Sequence, residues 1–159
     1  MEIENMQYRL ILCGAGDSES FIKEAVLKDR RIKYLGQIDP MKAKEWQNKA
    51  DVLINPRMNN EEYTKYSFPS KTIEYLMTGK PVVAYKLDGM KDIYSDFLYV
   101  VPENEDSISG LKKMIEVALD DNEQAKKGKS LKFFYYAKEN LNSDIITKSI
   151  LEMCCQGDG

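Results

Sequence analysis

Histidine is absent from this 159-residue sequence, and cysteine is scarce, with three residues. Without histidine the sequence cannot form a Ser-His-Asp triad, a Cys-His nucleophile or a zinc site that uses a histidine ligand. Cys13, Cys154 and Cys155 lack the spacing of a disulfide framework or a metal cluster. We therefore expect reduced cysteines and no bound metal.

Long hydrophobic runs and a basic excess are lacking too. No stretch approaches the roughly 18 apolar residues of a membrane-spanning helix, and residues 1–8 are polar and acidic, unlike a secretory signal. The formal net charge is -3, whereas proteins that hold phosphate backbones are basic, so we expect no nucleic-acid partner. These features predict a cytoplasmic protein with a single domain at residues 1–159.

Short apolar runs alternate with helical patterns along the chain. The runs predict five strands, at residues 9–13, 32–36, 51–55, 82–85 and 98–101. This alternation predicts an α/β fold, a doubly wound, Rossmann-like parallel sheet of about five strands with helices on both faces. The predicted order 2-1-3-4-5 places the ligand-binding switch point between the first and third strands.

Residues 66–85 read as a loop, a helix, a tight turn and a buried strand. Pro69 suits the first turn of a helix, where Ser70 can cap free amides. Gly79 suits a helix end with a positive φ, and Pro81 prevents continuation of the helix. The buried face of this helix is predicted to contain Ile73, Leu76 and Met77.

The start of this helix combines groups that suit a nucleotide. Exposed amides and the ammonium group of Lys71 suit phosphate oxygens, and Glu74 can accept hydrogen bonds from ribose hydroxyls. The alternative is a plain amphipathic helix with a cap and a solvated glutamate. Spacing alone does not decide between the two interpretations.

The same passage resembles the donor-binding signature of retaining glycosyltransferases of the family-four type, which have the two-domain GT-B architecture. In that family two glutamates at a fixed spacing precede a Gly-x-Pro-Val-Val turn and strand. Ser67-Phe68, Glu74 and residues 79–83 match this pattern, whereas Tyr66 stands where the first glutamate is expected. The segment 68–71, Phe-Pro-Ser-Lys, resembles a recognised branch of the family. The resemblance implies that Glu74 binds the ribose of the donor.

Two other segments, residues 31–38 and 50–57, resemble landmarks of the same family in the same order. The resemblance implies that Gln37 and Ile38 lie beside the nucleotide base, although Ile38 can equally serve to staple the next helix. Arg57 begins a long polar loop after a strand, so we predict that it contacts phosphate.

Gly14 and Gly16 form a Gly-Ala-Gly turn after the first strand, ahead of a helix that Asp17 or Ser18 can cap. A dinucleotide fingerprint would need a third glycine where the chain has Glu19. A tight turn at the end of the strand is the alternative to a nucleotide contact. The basic pair that precedes the second strand, Arg30 and Arg31, predicts a solvated turn.

The resemblance implies the donor-binding C-terminal half of a GT-B enzyme, inactive by itself, that transfers a sugar from a nucleoside-diphosphate sugar to a glycan or lipid-linked acceptor in polysaccharide biosynthesis. It favours a UDP-sugar over a GDP-sugar and implies no further cofactor. The acceptor-binding N-terminal domain is missing, so we expect a fragment or a gene product that needs a partner. The candidate catalytic residues are Lys71 and Glu74, and the candidate donor contacts are Gly14, Gly16, Gln37, Ile38, Arg57, Tyr66, Ser67, Phe68, Pro69, Ser70 and Thr72.

A non-catalytic Rossmann-like or flavodoxin-like nucleotide-binding or interaction domain is the alternative, and Tyr66 in place of a glutamate fits it. A receiver domain is disfavoured because paired acidic residues do not follow the first strand.

Lysines and aromatic residues alternate at residues 126–137. This pattern suits peripheral contact with the anionic inner face of a membrane or with single-stranded nucleic acid. We favour a helix that packs its aromatic side chains on the sheet and points its lysines outward. Another helix is predicted at about residues 143–155.

Overall fold

A computed structural model of the chain describes residues 6–59, 70–102 and 107–142. The chain forms two compact units, unit 1 at Met1–Ala50 and unit 2 at Asp51–Gly159. That both belong to one donor-binding domain stays a prediction. The predictions for Tyr66, Ser67, Phe68 and Pro69, and for the helix at residues 143–155, lie outside the described residues.

Unit 1 contains a two-stranded parallel sheet and two helices. Strand β1 (Leu10–Leu12) pairs with β2 (Ile32–Tyr34), and helix α1 (Glu19–Lys28) connects them. Helix α2 (Pro40–Lys49) follows. Asp39 caps this helix, because its carboxylate accepts a 2.8 Å hydrogen bond from the amide of Met41, and Pro40 occupies the first turn.

Unit 2 contains a three-stranded parallel sheet of β3 (Leu53–Asn55), β4 (Val82–Tyr85) and β5 (Tyr99–Val101), in that spatial order. Helix α3 (Ser70–Leu76) lies between β3 and β4 in the chain. A 3₁₀ helix (Asp92–Asp96) precedes β5. Helices α4 (Ser107–Asp120) and α5 (Glu123–Asn140) follow β5.

The α/β class with parallel strands and flanking helices is confirmed, but the strands form two sheets and not the predicted single sheet of five. The neighbours within each sheet are those of the order 2-1-3-4-5. The single sheet was predicted from the alternation of five apolar runs with helical segments, and this pattern does not specify which strands pair. In unit 1, β1 is half-buried along its three residues.

The deepest core lies between the sheet of unit 2 and α4. Val83, Tyr99, Val101 and Ala118 form a buried cluster, and Leu111, Met114 and Ile115 pack against it. Val82, Val83 and Val101 are completely buried, and each such side chain contributes about 1.5–3 kcal/mol by leaving water. Ile108, at the start of α4, does not belong to this core, since its side chain is 56% exposed.

The predicted buried face of helix α3 is confirmed in part. Leu76 is buried and Ile73 is half-buried, whereas Met77 lies beyond the helix and is 65% exposed, and Thr72 is buried although it was not predicted to be. Residues four apart, such as Thr72 and Leu76, share one helical face, and here one of the two is polar. The predicted end of the helix is confirmed, because Gly79 has φ +73°.

Helix α5 packs aromatic side chains on the 3₁₀ helix and the residue that follows it. Phe133 and Tyr136 contact Phe97, with ring centroids 5.5 and 5.3 Å apart, and Tyr136 also contacts Tyr94. The expectation that all lysines point outward is wrong for Lys129, whose ammonium group donates to the carbonyl oxygens of Asp96 and Leu98.

Phe134 and Tyr135 point outward from α5, each about 60% exposed. No helix in the described part of the chain has both the length and the apolar character needed to cross a membrane.

Candidate functional site

The described candidate residues of unit 2 lie on the segment after β3 and at the start of α3. Asn55 closes β3, and its side-chain amide donates a 2.9 Å hydrogen bond to the hydroxyl of Thr72 in the first turn of α3. This bond fixes the start of α3 at the carboxyl end of β3. Parallel α/β sheets bind ligands at this edge.

Lys71 and Glu74 form an ion pair on the outer side of α3. The ammonium nitrogen of Lys71 lies 2.7 Å from a carboxylate oxygen of Glu74, and their side chains are 60% and 35% exposed. Because one is three residues after the other, they are neighbours on the helix surface. Ser70, at the start of α3, is exposed as well. The structure thus brings together an ammonium, a carboxylate and a hydroxyl that solvent can reach.

Thr72 lies differently from its neighbours. Its side chain is completely buried and holds the hydrogen bond from Asn55. The hydroxyl group of Thr72 is therefore not exposed for the predicted donor contact.

The segments after β3 and β4 are hydrogen-bonded to each other through Asn59. Its side-chain amide donates to the carbonyl oxygen of Lys86 at 3.0 Å and to the carboxylate of Asp88 at 3.1 Å, and its side-chain oxygen accepts from the amide of Asp88 at 3.1 Å. Arg57 lies on the same segment and is half-buried.

An open cavity of about 230 Å³ lies in the loop after β4, lined by Lys86, Leu87, Asp88, Met90 and Asp92. Lys86 and Asp92 form a 2.6 Å ion pair at its rim, and the ammonium group of Lys86 lowers the pKa of the Asp92 carboxyl. The rim of the cavity therefore has one positive and one negative side chain, and Asp92 is ionised at neutral pH.

In unit 1 the glycine turn lines an open groove of about 270 Å³, formed by residues 12–19 together with Ile22 and Tyr34. The hydroxyl of Tyr34 donates a 2.7 Å hydrogen bond to the carbonyl oxygen of Gly14, and the amide of Gly14 donates to Gly36. Gly14 has φ +133°, a conformation that favours glycine. This positive φ is therefore sufficient to explain why glycine occupies position 14, without reference to a ligand.

The start of α1 faces this groove. Ser18 occupies the cap position, but its side chain makes no capping hydrogen bond, contrary to prediction. Desolvation in the groove raises the pKa of the Cys13 thiol, so the thiol is protonated at neutral pH. Gln37 is exposed and Ile38 is half-buried on the segment after β2.

Sequence reasoning missed three residues of these sites, namely Asn55, Asn59 and Tyr34. Asn55 is the last residue of the third predicted strand and Asn59 follows it, and polar residues at the end of a strand are a recognisable signal. Their hydrogen bonds span 17 to 29 residues along the chain, however, so their partners could not be read from local spacing. Within the described residues, no group of three or more cysteine, aspartate or glutamate side chains is arranged to hold a metal ion.

Parallel α/β units with polar side chains at the carboxyl ends of their strands define a Rossmann-like class of protein. Within this class the family model for group 1 glycosyl transferases matches residues 2–121, more than half of the chain, and the chain belongs to that family. Membership makes it a glycosyltransferase domain with a role in glycosyl transfer. No curated protein sequence matches the chain significantly.

Proposed function

We propose that this chain is the donor-binding, C-terminal domain of a retaining GT-B glycosyltransferase of the family-four type. The enzyme moves a hexosyl group from a nucleoside-diphosphate sugar, with UDP favoured over GDP, to a glycan or lipid-linked acceptor in polysaccharide biosynthesis. The exposed pair of Lys71 and Glu74 at the carboxyl edge of the sheet in unit 2 carries this proposal. The family match supports it.

Lys71 has the chemistry to stabilise the leaving diphosphate. An ammonium group has three donors, so it can keep its hydrogen bond to Glu74 and still donate to phosphate oxygens. Negative charge grows on the diphosphate as the bond to the sugar breaks, and a cation held close to it lowers the barrier. Ser70 and the backbone of Thr72 add donors beside Lys71.

Glu74 has the chemistry to hold the ribose. A carboxylate accepts hydrogen bonds from two neighbouring hydroxyl groups through its two oxygens. The ion pair with Lys71 holds this carboxylate in position on the helix surface. Ribose and diphosphate would then be recognised by neighbouring side chains of a single helix.

Calorimetric titration of the 159-residue chain with UDP and GDP tests the proposal. We expect UDP to bind and Glu74→Ala and Lys71→Ala each to weaken binding by roughly 10- to 150-fold, as one lost charge-assisted hydrogen bond costs roughly 1.5–3 kcal/mol. Glu24→Ala is the matched control, because Glu24 pairs with Lys28 on exposed α1 and should leave binding unchanged. Absence of binding at about 1 mM nucleotide, or equal affinity of Glu74→Ala and the wild type, contradicts the proposal.

The remaining donor contacts are proposed from the sequence resemblance. Gln37 and Ile38 are assigned to the base, and Gly14 and Gly16 to the donor. Arg57 is assigned to the phosphates, and its place on the segment after β3 is compatible with that role. Tyr66, Ser67, Phe68 and Pro69 belong to the same proposed set.

The second candidate function is a non-catalytic nucleotide-binding or interaction domain, favoured by Tyr66 in place of a glutamate. A sugar-transfer assay of the chain with a separate acceptor-binding domain distinguishes the two. Transfer that Glu74→Ala abolishes supports the enzyme, whereas nucleotide binding without any transfer supports the binding domain.

We also propose that the full enzyme associates with the inner face of the membrane through the outward side of α5. Leu131, Phe134 and Tyr135 share this side and are 55%, 60% and 59% exposed. Lys127 and Lys138 flank them and are exposed. Apolar side chains bordered by lysines suit an anionic lipid surface.

Flotation with vesicles tests this association. We expect the chain to float with phosphatidylglycerol-containing vesicles but not with pure phosphatidylcholine, and expect the double substitution Phe134→Ser and Tyr135→Ser to abolish flotation. Failure of the wild-type chain to float with the anionic vesicles contradicts the association.

A further inference from the structure

Asn55 anchors α3 to the sheet through a hydrogen bond inside unit 2. Its side-chain amide donates to the hydroxyl of Thr72, which has no exposed surface. Successive helical residues are turned by roughly 100°, so Thr72 points away from the side shared by Lys71 and Glu74. Holding Thr72 inward therefore turns Lys71 and Glu74 outward at the carboxyl edge.

Asn59 makes a second connection, to the loop after β4. Three hydrogen bonds of 3.0–3.1 Å join its side chain to the carbonyl oxygen of Lys86 and to both the amide and the carboxylate of Asp88. The side chain uses its donor group and its acceptor group at once, which an amide can do and a carboxylate or a hydrocarbon cannot. The loop that lines the 230 Å³ cavity is thereby tied to the segment after β3.

We propose that Asn55 and Asn59 are positioning residues of the donor site. Asn55 fixes α3, and Asn59 fixes the loop after β4, before the nucleotide binds. This inference rests on the proposed function, because it assigns the two asparagines to the site of Lys71 and Glu74. A site held in its binding geometry does not spend binding free energy on ordering its loops.

Nucleotide affinity and thermal stability, measured together, test the role of Asn59. The exposed side chain of Asn59 binds a loop at the surface, so Asn59→Ala should leave Tm nearly unchanged and weaken UDP binding roughly 3- to 10-fold. Asn59→Asp should weaken UDP binding further, because the new carboxylate would lie next to the carboxylate of Asp88 and repel it. Adding Asp88→Asn to Asn59→Asp should restore part of the affinity.

The contact of Asn55 is tested through its partner Thr72. Thr72→Val removes the hydroxyl and should weaken UDP binding, while Thr72→Ser keeps the hydroxyl and should retain the wild-type affinity. Asn48→Ala is the matched control, since Asn48 is an exposed asparagine on α2, and it should change neither affinity nor Tm.

Two results separate the possible failures. If Lys71→Ala and Glu74→Ala weaken UDP binding but Asn59→Ala and Thr72→Val bind as the wild type does, the positioning role is wrong and the proposed function stands. If the wild-type chain binds no nucleotide, both are wrong. Loss of affinity that parallels loss of Tm across all variants also overturns the positioning role, because it indicates general unfolding.

Discussion

At the scale of single residues, Asp29 and Arg31 show how a turn of unit 1 is held. The guanidinium of Arg31 donates to both carboxylate oxygens of Asp29, at 2.7–3.2 Å, and Asp29 also accepts from the amide of Arg31. The side chains of Arg31 and Asp29 are only 11% and 16% exposed. The predicted solvated turn is therefore wrong for Arg31, because a bidentate partner lies two residues away.

The Asp29–Arg31 pair predicts a specific response to acid. Hydrogen bonds from Arg31 lower the pKa of the Asp29 carboxyl, whereas the unfolded-state value is about 3.9. A carboxyl group whose pKa is lower in the folded state than in the unfolded state stabilises the fold fully at pH values above its unfolded-state pKa. This stabilisation is lost as the pH falls toward the folded-state pKa. We expect the wild type to be more stable than Asp29→Asn at pH 7 and this advantage to shrink below about pH 4.

Urea denaturation of both proteins from pH 7 down to pH 2 measures this advantage as the difference between two free energies of unfolding. Because the other carboxyl groups titrate in both proteins, their effects largely cancel. A difference that stays constant with pH contradicts the role of the ionised carboxylate.

At the scale of elements, the turn after α3 depends on Gly79. Its φ of +73° strains any residue with a side chain, and a Cβ there would lie 3.1 Å from the hydroxyl oxygen of Ser130 on α5. We expect Gly79→Ala to destabilise the protein by about 1–2 kcal/mol. Denaturant midpoints measure this loss.

Substitution of Gly128 is a control for which we expect the opposite change in stability. It lies within α5 and a Cβ there would have no neighbour within 4 Å. Gly128→Ala should stabilise the protein by about 0.5–1 kcal/mol, because alanine loses less backbone entropy in a helix. Equal stability of Gly79→Ala and the wild type would show that the left-handed turn is not needed.

Local signals in the sequence predict the ends of elements well. The cap at Asp39, the start at Pro40 and the stop at Gly79 were all predictable, because each depends on the chemistry of one or two neighbouring residues. The burial of Thr72 on α3 could not be predicted in this way. Periodicity favours apolar residues, and Thr72 is buried because a distant asparagine satisfies its hydroxyl.

The orientation of α5 was also beyond sequence reasoning. Aromatic residues occupy two opposite sides of this helix, so its pattern does not select the side that packs. The structure selects Phe133 and Tyr136, which meet Phe97. Phe134 and Tyr135 remain outward, which is the basis of the proposed membrane contact.

At the scale of the whole molecule, the sequence predicts the α/β class but not the division into two sheets. Five apolar runs specify five parallel strands, and the structure has all five. The pattern of apolar runs does not specify which strands share a sheet. Burial also differs between the two units. Among the described residues, Ile32 is the buried apolar side chain of unit 1, whereas those of unit 2 form an extended core.

The family match spans residues 2–121 and therefore includes strands of both sheets, while the whole of α5 lies beyond it. The family assignment therefore rests on the α/β part of the chain. The donor contacts are proposed for that part, and the membrane contact is proposed for α5. The two proposals accordingly concern different segments and can be tested by independent substitutions.

The most direct test of the donor site is a nuclear magnetic resonance titration of the ¹⁵N-labelled chain with UDP. We predict that the largest amide shifts occur at Ser70, Lys71 and Glu74 and at the segment from Asn55 to Asn59, and that Glu74→Ala weakens them. Shifts confined to α4 and α5, or no shifts at saturating UDP, would contradict a nucleotide site at the carboxyl edge of this sheet.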